Sequence, residues 1–228
     1  METCKKIVTQ KITEKFKKDS FEHAAWAEGS FIVGVDEVGR GCLAGPVVTA
    51  AVALFPHVRH ALLKDSKLLT QPELQKAYRW LMTHCHFAVT SCSHLVIDRV
   101  NIYQATRIAM DQAVANLLFL VDKKPQYVLI DAVPLPFNAQ GCQVRYFTKG
   151  ERRSSSIAAA SIIAKVTRDR LMERLSELFP AYNFAHHKGY GTKEHRAAIG
   201  VVGRSLIHRT SFSLSHEEEE LDEQQQLF

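Results

Sequence analysis

Phe31–Val47 reads FIVGVDEVGRGCLAGPV, and the fold turns on how that stretch is taken. Phe31, Ile32, Val33 and Val35 make the apolar run of a buried strand before any charge appears. Two adjacent carboxylates then close it, Asp36 and Glu37, with Gly39-Arg40-Gly41 directly behind. Neighbouring like charges repel, so a buried pair of acids calls for positive charge from elsewhere. Side chains also alternate faces along a strand. Delivering both acids to one site requires the backbone to turn there, a freedom that Gly39 and Gly41 supply.

Working outward, Val47–Phe55 is a second strand, closed by Pro56. Pro72 sits near the start of a helix running to about Met82, with Thr70 as its cap. His86–His94 alternates as a third strand, and Asn101–Val121 carries Ile108, Val114, Leu117 and Val121 at helical spacing. Tyr127–Asp131 is a short buried strand ending before a Pro134/Pro136 loop, and Gln143–Phe147 is a fifth. Ser154–Phe179 is helical again, and Thr192–Ile199 adds a shorter helix. Upstream, residues 9–28 read as a polar, basic helix with Ile12, Phe16 and Phe21 as sparse apolar positions. The pattern predicts one α/β domain, a mixed five-stranded sheet flanked by helices with a C-terminal helical extension. Residues 1–29 form a basic helical segment before it, and residues 215–228 an acidic, disordered tail after it.

The 228 residues suffice for one sizeable core, and the 46% hydrophobic and 23% charged content is that of a globular protein. No apolar run approaches the roughly 20 residues that span a bilayer. The lysine-strewn N-terminus lacks the apolar middle of a signal peptide. Five cysteines, Cys4, Cys42, Cys85, Cys92 and Cys142, form no C-x-x-C pair, which points to a reducing, cytoplasmic setting without a disulfide framework or zinc site. The net charge of +5 conceals an asymmetry: six acids lie between Glu217 and Phe228, and without them 29 bases face 18 acids. A body carrying +11 suits a polyanion, and nucleic acid is the commonest one, although excess lysine also serves solubility alone. A monomer is the expectation for a single basic domain.

If the first and fourth strands are parallel neighbours, Asp36 and Asp131 emerge on one rim, at the carboxyl ends where open α/β sheets place ligands. Taken alone, Asp131 reads equally as the cap of a turn. In SIIAKVTRDRLMERL, Ile162, Val166, Asp169 and Met172 lie on one helical stripe, so a carboxylate stands on the face turned to the sheet. The competing reading of Asp169 is an internal ion pair with Lys165, four residues earlier, or with a neighbouring arginine. Four carboxylates on one rim cannot all stay ionised without cations. Their hard oxygens favour Mg2+ or Mn2+ over zinc. Two such ions ~3.5–4 Å apart activate a water and stabilise a leaving oxygen in phosphodiester hydrolysis.

GVDEVGRGCLAGPV (Gly34–Val47), LKDSKLL (Leu63–Leu69), SIAAASIIAKVTRD (Ser156–Asp169) and HKGYGTKEH (His187–His195) occur in that order. Together they closely resemble bacterial type 2 ribonuclease H, the ribonuclease HII family. IDRVNIYQAT (Ile97–Thr106) and HRTSF (His208–Phe212) extend the likeness, which covers roughly residues 31–212. The resemblance implies a ribonuclease H-like fold and a metal-dependent endoribonuclease. Such an enzyme hydrolyses the RNA strand of RNA–DNA hybrids and incises DNA 5′ of an embedded ribonucleotide, leaving 5′-phosphate and 3′-hydroxyl ends. The family's four acids fall on Asp36, Glu37, Asp131 and Asp169, the last with a looser, exchange-related role.

Its glycine-arginine-glycine element falls on Gly39, Arg40 and Gly41, whose backbone is expected to approach the ribose 2′-hydroxyl. Its junction-reading tyrosine falls on Tyr190, expected to stack beneath the next, deoxy sugar; from the sequence alone Tyr190 reads as a packed turn residue. Arginine at 40 sides with the junction-cleaving type rather than ribonuclease HIII, which prefers longer ribonucleotide tracts. Lys67, Lys149, Lys188 and Arg152-Arg153 are candidate phosphate contacts, with Lys67 the foremost. Nothing in their spacing separates His187 and His195 from structural histidines, and no histidine is placed in the catalytic set. Glu151 departs from the family pattern, which favours aspartate there. Gln224–Phe228, QQQLF, resembles the peptides by which bacterial repair proteins dock a sliding clamp. A hybrid-binding module that does not cut, and a phosphohydrolase of small esters, are the alternatives. The four acids argue against the first, and the basic body with its sugar-sensing elements against the second.

Overall fold

The computed structural model describes residues 9–13, 16–121, 123–131 and 139–214. Its strands are β1 (Thr9–Lys11), β2 (Ile32–Val38), β3 (Val47–Leu54), β4 (Cys85–Cys92), β5 (Tyr127–Asp131) and β6 (Val144–Phe147). They form one mixed sheet in the order β1-β6-β5-β2-β3-β4. β2, β3 and β4 are antiparallel neighbours, whereas β5 runs parallel to β2, β6 to β5 and β1 to β6. The helices are α1 (Ser20–Ala27), α2 (Gln71–Leu81), α3 (His94–Leu120), α4 (Ser155–Leu178), α5 (Phe184–His187) and α6 (Lys193–Val202).

The continuous apolar run of β3 follows from burial on both faces. Ala50, Val52 and Leu54 pack with α2 and α4, and Ala51 and Ala53 with α3. Thr70 caps α2 as expected, its N–H and hydroxyl both donating to Glu73 at 2.8 Å. α3 begins earlier than the periodicity predicts, but Asn101 breaks it with a φ of 69°, and the Asn101 side chain accepts from Gln104 N–H at 3.0 Å to restart it. α4 lies directly on β2. A Cβ at Gly34 would stand 2.2 Å from the Ser156 carbonyl carbon, so only glycine lets strand and helix backbones approach this closely.

Two expectations need correction. Among the described residues the sheet has six strands, not five, because part of the segment read as a helix over 9–28 is β1. Thr9, Gln10 and Lys11 pair with Val144, Arg145 and Tyr146, and among the described residues of that segment the helix is Ser20–Ala27. An edge strand with polar, charged residues carries little periodic signal and is fixed by its partner. The backbone also does not turn between Asp36 and Glu37. β2 stays paired with β3 through Asp36↔Ala50, Glu37↔Thr49 and Val38↔Val48. The four cysteines among the described residues are free and buried. No helix among those residues is long and apolar enough to cross a membrane. The Pro134/Pro136 loop, the acidic tail and QQQLF lie outside the described residues.

Candidate active site

Strand register creates the site. β2 and β5 are paired through Val35↔Ile130, so Asp36 and Asp131 are the next residues on two parallel neighbours. Among the described residues β5 ends there, beside the opening of a pocket. Both Asp36 and Glu37 reach the opening although they point to opposite faces of the strand. They line one pocket of about 180 Å³ with Asp131, Arg40, Lys67 and Tyr190.

Its charge is poorly balanced. Glu37 meets Arg40 at 3.4 Å, and its other oxygen, Oε2, is buried without a partner. Burial, followed by the charges of Glu37 and Asp131, pushes Asp36 well above the carboxylate range, against a hydrogen bond from Ser161. Burial likewise raises Glu37, opposed by Arg40. Asp131 Oδ1 accepts from Gly150 N–H at 2.8 Å. Asp169 is buried on α4 at 6% exposure and holds Lys165 at 2.5 Å, the internal ion pair of its competing reading. Its Oδ1 has no partner, and Lys165, not Asp169, lines the pocket.

The remaining elements fall into place around two arginines that the sequence did not single out. Arg168 is wholly buried and donates to the carbonyls of Pro46, Lys188 and Ala44 at 3.0, 2.8 and 3.1 Å. Arg209, 1% exposed, donates to the carbonyls of Gly39 and Arg40 at 2.6 Å and of Gly45 at 3.0 Å. One guanidinium ties the loop after β2 to the segment carrying Tyr190, and the other fixes Gly39-Arg40 from the C-terminal segment. Arg40 itself lies 4.9 Å over the Tyr103 ring. At Gly41 the place of a side chain is open, with no atom within 4 Å of a built Cβ. Tyr190 is 40% exposed. Burial, then the neighbouring Cys42 thiol, pushes its hydroxyl up to about 12 and keeps it protonated.

Of the cationic candidates, Lys67 alone lines the pocket. Lys188 is held by Glu173 at 2.9 Å, Arg152 lies 4.0 Å from Asp65, and Arg153 covers the Phe16 ring at 3.9 Å. Lys149 is exposed and outside the pocket lining. The structure adds Asp65, Ser66, Ser161 and Glu151 to the lining. The Ser66 and Ser161 hydroxyls are 2.9 Å apart, linking the Asp65-Ser66-Lys67 turn to the hydroxyl beside Asp36. Burial, then the adjacent Asp131, raises Glu151, the departure from the family pattern, so with Asp65 two further acids border the cluster. The sequence signal for Ser66 lay in LKDSKLL, whereas Ser161 differs in nothing from its small neighbours.

The donor set suits a hard divalent cation in kind and charge: carboxylate oxygens, two of them orphaned, around Asp36, whose carboxyl is raised by burial and then by its acidic neighbours. Among the described residues, no three of them already surround a common point as metal ligands do.

Solved structures that share this fold belong to the ribonuclease H class of nucleases. The ribonuclease HII of Archaeoglobus fulgidus, solved as a complex with PCNA, is 25% identical with a TM-score of 0.65, covering 82% of this chain and 96% of that one. Bst-RNase HIII in complex with Mn2+ is 20% identical with a TM-score of 0.67, covering 93% of this chain and 77% of that one. The family profile described as Ribonuclease HII matches residues 33–215. A ribonuclease HII of Bacillus cereus is 47% identical over 211 residues, 91% of this chain and 79% of its own length. One from Levilactobacillus brevis is 44% identical over 194 residues, 85% and 73% of the two chains. The chain belongs to the ribonuclease HII family, and it is a hydrolase of the nuclease type.

Proposed function

We propose that the protein hydrolyses the RNA strand of RNA–DNA hybrids and incises duplex DNA 5′ of an embedded ribonucleotide, acting in ribonucleotide removal from DNA. The observation that carries this reading is the register of two parallel strands, which sets Asp36 and Asp131 side by side with Glu37 in one undercompensated pocket. Asp36, Glu37 and Asp131 hold Mg2+ or Mn2+, and Asp169 completes the set. The bound cation supplies Lewis acidity toward the phosphate and a water acidified enough to attack it. Such a displacement leaves a 5′-phosphate and a 3′-hydroxyl.

This chain's own residues orient the substrate. Lys67 and Arg40 attract the phosphates. The open space at Gly41 admits the ribose 2′-hydroxyl to the backbone, where RNA is told from DNA. The exposed face of Tyr190 offers a platform for the next, deoxy sugar. Lys165 neutralises Asp169 before catalysis and gives way as that carboxylate is recruited. A cytoplasmic location and docking of a sliding clamp by Gln224–Phe228 complete the proposal; the PCNA complex of the Archaeoglobus relative supports the clamp.

The test uses a labelled DNA duplex containing one ribonucleotide, with all-DNA and long-hybrid duplexes as controls. The protein and its Asp131→Asn variant are incubated with Mg2+, with Mn2+ and with chelator. One metal-dependent cut 5′ of the ribonucleotide is expected. The variant should lose more than about a hundredfold in rate, beyond the usual cost of an outer-shell metal partner. Cutting confined to the long hybrid would keep the chemistry and remove the junction roles of Arg40 and Tyr190. Binding without cleavage under either metal would leave a recognition module.

A further inference from the structure

Tyr190 stands between Gly189 and Gly191, a segment with little stiffness of its own. A bridge to Cys42 and the Thr192 N–H, which donates to the Tyr190 carbonyl at 2.8 Å, hold it from one side, and a buried chain of histidines backs it from the other. The imidazoles of His187, His195 and His208 are 6%, 0% and 3% exposed, and His187 stacks on His195 with ring centroids 4.3 Å apart. His195 Nδ1 lies 2.9 Å from the Tyr190 carbonyl, and its Nε2 lies 3.0 Å from His208 Nε2. His208 Nδ1 in turn meets the Ser205 N–H at 2.8 Å and the Ser205 hydroxyl at 2.7 Å.

One donor in this chain allows no choice, and it settles the rest. A backbone N–H can only donate, so His208 Nδ1 is an acceptor and the neutral ring carries its proton on Nε2. That proton faces His195 Nε2, which must accept. His195 therefore carries its proton on Nδ1 and donates it to the Tyr190 carbonyl. The same logic applies to His187, whose Nδ1 accepts from Gly189 N–H at 3.2 Å and whose Nε2 donates to the Tyr182 carbonyl at 2.7 Å. A second proton on His195 would set two N–H groups against each other at 3.0 Å, and one on His208 would oppose Ser205 N–H.

We propose that His195, with its tautomer locked by His208 and Ser205, is a positioning residue for Tyr190 and thereby for recognition of the ribonucleotide–deoxyribonucleotide junction. This rests on the proposed sugar-reading role of Tyr190. Burial above all holds both His195 and His208 down to about 4, in keeping with neutral rings. The charged and titratable groups around them are Glu194 and Arg196 on α6, His186 and His187 on α5, and Arg204 beside His208.

Two measurements test the proposal. In the wild-type protein, long-range 1H–15N spectra assign each imidazole tautomer; Nδ1–H is expected at His195 and Nε2–H at His208. An Nε2–H tautomer at His195 overturns the proposal without any substitution. Cleavage kinetics on single-ribonucleotide and long-hybrid duplexes are then compared for His195→Phe, which keeps the ring and loses the donor, and His195→Asn, which keeps a donor near Nδ1. Melting temperatures accompany both. The phenylalanine variant should lose about five- to tenfold in kcat/KM on the single ribonucleotide relative to the hybrid, the worth of one hydrogen bond, and the asparagine variant should recover it. Equal loss on both substrates, or an unchanged preference, overturns the proposal. Tyr190→Ala separates the two layers. If it changes the preference and His195→Phe does not, the histidine role alone fails. If Tyr190→Ala changes nothing, the reading of Tyr190 fails and the histidine role falls with it.

Discussion

A Cβ built on Gly39 would stand 2.2 Å from Arg168 Nε, and the residue's φ of +90° disfavours any side chain. At Gly41, two residues on, a Cβ would meet nothing. The two glycines flank one arginine for different reasons. Gly39 answers to the fold, because the guanidinium that ties the site's loops together occupies its side-chain space. Gly41 meets no such demand from the chain, and only the proposed approach of a ribose would call for glycine there. Gly39→Ala should therefore destabilise the free protein, by roughly 1–3 kcal/mol for the strained conformation alone. Gly41→Ala should leave the denaturation midpoint unchanged and lower cleavage of ribonucleotide-containing DNA. Denaturant titrations beside cleavage assays decide it, and a Gly41→Ala enzyme of full activity would sink the substrate role of that residue. The sequence makes both glycines visible and cannot separate them, because the separating atom belongs to Arg168. Arginine is rarely fully buried, so neither Arg168 nor Arg209 signals its position in advance. The carbonyls that satisfy them come from chain segments far away in sequence.

At the scale of elements, β2, β3, β4, β5 and α4 were legible because each carries a strong periodic or continuous apolar pattern. The parallel pairing of β2 with β5 was a condition to be met, and their register meets it. β1 and the break in α3 were not legible, since each depends on a partner or a single dihedral rather than on a pattern. α1 shows a related limit: its Glu22 looks like a surface residue and is 1% exposed. Glu22 accepts from the Ser154 hydroxyl and from Ser156 N–H, and Asp19 accepts from Ser155 N–H at 2.6 Å. Two carboxylates thus sit at the N-terminus of α4, where unsatisfied N–H groups and the helix dipole favour negative charge. This is the helix that carries Asp169. Glu22→Ala leaves buried donors unpaired and should cost about 1–3 kcal/mol in chemical denaturation. An unchanged midpoint would mean that α1 adds nothing to the seating of α4.

The molecule as a whole sets a repulsive acid cluster against a body whose excess charge is positive, and its response to pH shows what each part costs. Asp36 is raised well above its ordinary value by burial and by its acidic neighbours. A carboxyl raised in the folded state adds stability at low pH and withdraws it as pH climbs through the folded pKa. Without a divalent cation, the cluster should therefore weaken the protein most at neutral and alkaline pH. His195 and His208 act in the opposite sense. Their folded values of about 4 lie below the ordinary 6.5, so their contribution is complete above 6.5 and is lost as pH falls toward 4. Asp36→Asn removes the first effect and leaves the second. In chelator, that variant should melt above the wild type at pH 8, and the advantage should vanish toward acid pH as the wild-type carboxyl protonates. The loss of stability below about pH 6.5 should persist in both, because the histidines lie away from the acids. A variant no more stable than the wild type at pH 8 would mean that Asp36 is adequately compensated within the chain. The site would then have no electrostatic need of a cation.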